Sequence, residues 1–131
     1  MRIAALFVLV ATVMPVHAAE QGPLGMQISA AQVAARSGSR NIRDIEAIHE
    51  RMQASINCLV GPKHPDFDAS VRNPCALTGN GVIPDTPDAA KKARYMEAVA
   101  RLKAVKLMDD RGPAMEAALA AADLIVEISE Q

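Results

Sequence analysis

The chain has 131 residues and is 50% hydrophobic but only 2% aromatic, with no Trp, one Tyr and two Phe, a length typical of one domain. Its 14 Lys and Arg stand against 15 Asp and Glu for a formal net charge of -1, which disfavours phosphate-driven binding to nucleic acid. With so few aromatics the core must be thin and rich in Ala. Small side chains bring helix axes toward the short end of the ~8–10 Å range, and each buries little apolar area.

Arg2 is followed by an apolar run from Ile3 to Val13 and then by Met14-Pro15-Val16-His17-Ala18-Ala19. That order is the charged, apolar and small-residue succession of a secretory signal peptide, residues 1–18, with Val16 and Ala18 in the two small positions before the cut. The run is shorter than the roughly 20 residues that cross a bilayer, so no stable membrane anchor is expected after cleavage. No Cys follows the cut to carry a lipid. The expected location is the periplasm or outside the cell.

Residues 19–40 read as a loose N-terminal segment opened by Gly22, Pro23 and Gly25. Ser29-Ala30-Ala31-Gln32 fits a capping box and Gly38 a stop, which predicts a short helix. A first main helix is predicted over 42–58 with Asn41 as its cap. Ile42, Ile45, His49, Met52, Ile56 and Leu59 recur there at spacings of three and four, Ile48 widens the stripe, and Arg43, Asp44, Glu46, Glu50 and Arg51 take the other side.

From 59 to 85 the periodicity disappears, and Pro62, Pro65, Pro74, Pro84, Gly79 and Gly81 punctuate a loop that is long for a compact domain unless it is functional or tied down. A second main helix is predicted over 87–108, with Thr86 as cap, Pro87 at the first helical position and Asp88 near the positive dipole end. Asp109, Asp110, Gly112 and Pro113 then break the chain and start a third, over 113–129, which the short link sets antiparallel to the second. The fold class that follows is all-α. Residues 41–131 form a small bundle of three main helices, joined by the short N-terminal helix and one long disulfide-tied loop.

In an exported chain the isolated pair Cys58 and Cys75 reads as a disulfide, since a redox-active pair would more often be spaced Cys-x-x-Cys. On a helical projection Cys58 falls on the polar side of its helix. The bond is therefore expected to clamp the loop outside the bundle.

His64, Asp66 and Asp68 alternate along the loop and are weak metal-ligand candidates. Asp66, Asp68 and Ser70 imitate the opening of a calcium loop, but Val71 stands where the turn needs Gly and Leu77 where the bidentate acid belongs. Solvated carboxylates are expected instead. His49, on the apolar stripe, is the other candidate and could ligate haem or copper with Met52, Met96 or Met115 as a soft partner. A lone His there is more often a half-buried, hydrogen-bonded residue, and no Cys-x-x-Cys-His exists for covalent haem. No metal or cofactor is expected. No catalytic motif is present either, so no catalytic residue is assigned and an enzyme is not expected.

The helix over 113–129 carries an acidic stripe, Glu116, Asp123, Glu127 and Glu130, on an otherwise apolar surface. The helix over 87–108 is two-faced, with Tyr95, Ala98, Val99, Leu102 and Val105 on one side and Ala93, Met96, Ala100, Ala104 and Leu107 on the other. Either both helices are central to the bundle, or one face is kept for another protein or a second copy. The second case makes Ala93, Met96, Ala100, Ala104 and Leu107 the candidate interaction face. The functional expectation is a small exported, non-catalytic binding or accessory protein acting through helical surfaces. The alternative is a haem- or metal-handling bundle using His49.

Intact mass of protein recovered from the exported fraction is expected to place the first residue at Ala19. Retention of Met1 or Arg2 in that fraction would contradict the signal peptide.

Overall fold

The structure, a computed structural model, describes residues 22–40 and 44–131. The signal-peptide expectation, the Asn41 cap and Ile42 lie outside the described residues. Among the described residues every element is helical: α1 Pro23–Ser37, α2 Ile45–Val60, α3 Val82–Asp85, α4 Ala89–Val105 and α5 Arg111–Glu130.

α1 departs most from expectation. It is a full helix of 15 residues that begins at Pro23 with Gly22 as N-cap, where a short helix from Ser29 was predicted. Proline suits the first helical turn because its φ is already helical and its missing N–H has no intrahelical acceptor to lose. Gly25 inside the helix costs about 1 kcal/mol relative to Ala, offset by burial of Gln27, Ala31, Ala34 and Ala35. Gly38 ends it as expected, its N–H donating to the Ala35 carbonyl at 3.0 Å.

The other starts shift by two or three residues, in each case to the nearest Asp that can cap. Asp44 accepts from Ala47 N at 2.8 Å, Asp88 from Lys91 N at 3.0 Å and Asp110 from Gly112 N at 3.0 Å, using a carboxylate on otherwise orphaned N–H groups. Thr86 is therefore not the cap of α4. Its hydroxyl instead donates to the Val82 carbonyl at 2.6 Å and closes the single turn of α3. Gly112 and Pro113 belong to the first turn of α5 rather than to the link before it.

α1, α2, α4 and α5 pack as a ring in which each touches the next and α5 closes back on α1. Neighbours run antiparallel. Ser55 Oγ of α2 reaches the Ala31 carbonyl of α1 while Arg51 reaches Ser37, and Arg94 at the start of α4 meets Glu127 near the end of α5. The centre is filled by Ile48, Met52, Ile56 and Leu59 of α2, Tyr95, Val99 and Leu102 of α4, and Ile125 and Ile128 of α5. Ala31, Ala35, Ala98, Ala118, Ala121 and Ala122 are all fully buried between them, the small contacts that allow close approach of helix axes.

The long connection from α2 to α4 is held by two buried amides. Gln27 is 0% exposed; its Oε1 accepts from Gly81 N at 2.9 Å and its Nε2 donates to Asp85 Oδ2 at 2.8 Å. Asp85 also accepts from Asn80 N at 2.9 Å and Asn80 Nδ2 at 3.1 Å. Asn57 Nδ2 donates to the Asp68 and Val71 carbonyls at 2.8 and 3.0 Å, and its Oδ1 accepts from Asp68 N at 2.9 Å.

Where the connection leaves and rejoins the bundle, Gly61 and Gly81 lie back to back at φ +77° and +119°. A Cβ on Gly61 would fall 1.9 Å from the Asn80 carbonyl oxygen, so both the conformation and the space demand glycine.

The Gln27 amide, followed by the Asn80 backbone N–H, holds the Asp85 carboxyl below its ordinary value of 3.8. A lowered carboxyl stabilises the fold above the unfolded value and loses that contribution as pH falls through the folded one. The melting difference between wild type and Asp85→Ala is thus expected to be full near neutrality and to shrink below about pH 4. Gln27→Leu keeps the volume but leaves the buried Gly81 N–H without a partner, an expected loss of about 1–3 kcal/mol in denaturant titration.

Candidate functional site

Cys58 and Cys75 are bonded, with Cα atoms 5.0 Å apart. The bond is not outside the bundle as the helical projection suggested, because both cysteines are buried, at 0% and 1% exposure. α1 lies over that side of α2 and brings the Gln27 carbonyl oxygen to 3.2 and 3.5 Å from the two sulfurs. Neither sulfur carries a hydrogen in a disulfide, so these are packing contacts. Ser55, on the same side of α2, is buried as well, its Oγ donating to the Ala31 carbonyl of α1 at 2.8 Å.

The metal-ligand candidates are dispersed among other partners. His49 is half-buried, and its Nε2 lies 2.9 Å from the Met108 carbonyl, so that nitrogen carries the proton and donates. Met52 is in the core and Met96 on the outer surface. His64 Nδ1 accepts from Asp66 N at 3.1 Å, and Asp66 Oδ1 takes Lys103 Nζ at 2.9 Å, tying the loop to α4. Asp68 Oδ1 turns back on its own loop to accept from Ser70 Oγ at 2.6 Å and Ser70 N at 2.9 Å. Those two bonds, the hydroxyl first, hold its carboxyl below the ordinary value. Among the described residues no group of three or more His, Cys, Asp or Glu is placed to hold a metal ion.

The two-faced helices resolve differently. α5 is flanked by α1 and α4, and its apolar surplus is used: Ala114, Ala118, Ala121, Ala122, Leu124, Ile125 and Ile128 are all buried. α4 is flanked by α2 and α5, but its second apolar side faces outward. Tyr95, Ala98, Val99, Leu102 and Val105 face the core, whereas Ala93, Met96, Ala100, Ala104 and Leu107 are all exposed.

By the 3.6-residue period these five lie on the side of α4 opposite the core, between Lys92 and Lys103 on one flank and Glu97 and Arg101 on the other. Leu107, just past the helix end, is 84% exposed. The charged seams are matched within the chain: Arg101 with Glu97 at 2.9 Å, Arg94 with Glu127 at 3.0 Å and Arg36 of α1 with Asp123 at 2.6 Å. At such exposure each contributes at most about 1 kcal/mol.

A second surface was not anticipated. Met26 and Val33 of α1 are 57% and 59% exposed and border an open groove of about 940 Å³ between α1, the first half of α2 and residues 71–74. Met26, Ala30, Val33 and Ser37 follow helical spacing, a signal hidden when the helix is started at Ser29. Compared with protein-family models, curated proteins and solved structures, the chain matches none.

Thiol labelling of native protein is expected to give no signal, even with mild reductant, until the fold is opened by denaturant, because both sulfurs are buried. Replacing both cysteines by Ala is expected to cost about 3 kcal/mol through release of the loop constraint.

Proposed function

We propose that this protein is a small exported, non-catalytic binding protein that works through the outer face of α4, taking another protein or a second copy of itself. The exposure of Ala93, Met96, Ala100, Ala104 and Leu107 directly opposite the core carries the proposal. Exposed Ala alone would be explained by helix propensity, so Met96 and Leu107 are the telling residues. Leu107, just past the end of α4, is 84% exposed and Met96 37%, on a side of the helix that no other described helix covers. Patches of that kind mark interaction surfaces.

Export rests on the N-terminal pattern. A buried disulfide fits an oxidising compartment, and no helix among the described residues is long and apolar enough to cross a membrane.

Because Ala100 is exposed, Ala100→Glu is expected to leave stability within about 0.5 kcal/mol of wild type, with circular dichroism unchanged. Light scattering should show loss of self-association, or photocrosslinking from position 104 in intact exporting cells should show loss of the trapped partner. If the charged variant associates and crosslinks as wild type does, the face is not the contact surface.

A further inference from the structure

Charge is divided unevenly between α4 and the rest of the chain. With its C-cap Lys106, α4 carries six of the 14 basic residues, Lys91, Lys92, Arg94, Arg101, Lys103 and Lys106, against one acid, Glu97. The remaining residues have eight bases against 14 acids. The bundle answers only part of the excess on α4. Arg94 meets Glu127, Arg101 meets Glu97 and Lys103 meets Asp66, whereas Lys91 and Lys106 reach only the uncharged oxygens of Ser129 and Gln53. Among the described residues no ion pair forms at Lys92. The apolar strip of Ala93, Met96, Ala100, Ala104 and Leu107 thus lies in a positive field, which attracts an anionic, part-apolar surface.

A second copy offers no such surface. Two α4 faces packed on each other would set like charge on like, five net positive charges on each helix. The other open apolar surface, the groove beside Met26 and Val33, is rimmed by Arg51 and Arg72 against Glu50, so it does not attract α4. The stripe on α5 has the right sign, but its centre is carboxylate, and Asp123 and Glu127 are already paired with Arg36 and Arg94. An anionic bilayer has the right sign too. Interfacial helices, however, anchor through Trp, Phe and Leu, and this strip has one Leu, one Met and three Ala. Alanine instead suits a helix, whose axis it lets approach closely, and from Ala93 to Leu107 the strip runs about 21 Å at 1.5 Å per residue.

Resting on the outer face of α4 as the contact surface, we propose that this face receives an acidic amphipathic helix of another protein. The apolar stripe of that helix lies on Met96, Ala100 and Leu107, and its carboxylates meet Lys92, Arg101 and Lys103.

The mature, disulfide-intact protein is titrated by calorimetry at low and high salt with three probes: a synthetic helical peptide whose Leu stripe is flanked by Glu, the same peptide with Lys in place of Glu, and phosphatidylglycerol vesicles. The Glu peptide is expected to bind saturably at one equivalent and roughly tenfold more weakly at high salt, with no binding of the Lys peptide or the vesicles. Lys92→Glu combined with Arg101→Glu should weaken the Glu peptide roughly tenfold or more, with circular dichroism and melting unchanged because neither side chain is buried. Lys92→Gln combined with Arg101→Gln should weaken it in the same direction. No binding of the Glu peptide, equal binding of both peptides, preference for the vesicles, unchanged affinity in both double variants, or a dimer that Ala100→Glu dissolves would each overturn the proposal. Loss of the position 104 crosslink in Ala100→Glu without any preference for the Glu peptide would keep α4 as the contact surface and reject the acidic helix.

Discussion

The carboxamide of Gln27 is the constraint on which the rest of this structure depends. It is fully buried and meets both of its polar ends in the connection between α2 and α4, at Gly81 N and Asp85 Oδ2. A buried amide is tolerated only when both ends are satisfied, so α1 and the connection must find one relative position. That position sets the backbone carbonyl of the same residue against the Cys58–Cys75 bond. It also leaves Gly79 no room for a side chain, since a Cβ there would fall 2.3 Å from Gln27 Nε2. A single polar residue on α1 thus orders the end of the bundle that lacks regular secondary structure.

The opposite strategy operates along the rest of the molecule. There, alanines at helix contacts let four helices close a ring with one aromatic, Tyr95, among the fully buried side chains. Alanine contributes little transfer free energy per residue, so such a core relies on many close contacts and cannot spare a helix. α1 is therefore structural despite its weak amphipathic pattern. It buries the side of α5 that α4 cannot reach and covers the cysteine side of α2.

Ring closure also decides which surfaces remain. Each helix in a ring of four has two neighbours, and an apolar arc wider than those neighbours cover must meet solvent or another molecule. α5 keeps a smaller excess at Leu119 and Ala120, Leu119 being 40% exposed. α4 keeps its excess on the outer side, and the groove beside Met26 and Val33 lies between α1 and the first half of α2. The molecule therefore has an interior built by its four main helices and an outer apolar strip that the described residues leave uncovered.

The class of fold, the presence of the main helices and the pairing of the cysteines were legible in the sequence, because each depends on local or compositional signals. Spacings of three and four mark α2, breakers such as Gly38 and Gly61 bound the helices, and two cysteines among the 131 residues leave one intramolecular partner each. The burial of Cys58, Gln27 and Asn57 was not legible. A helical projection equates polar with wet, whereas the two amides are dry because groups 11 to 58 positions away satisfy them: Gly81 and Asp85 for Gln27, Asp68 and Val71 for Asn57. Likewise α4 and α5 both carry more apolar surface in sequence than one neighbour covers, and they differ in how much of it is buried. Periodicity determined that each helix had apolar surface to bury, and only the tertiary placement of α1 beside α5 decided which of them kept a face for water.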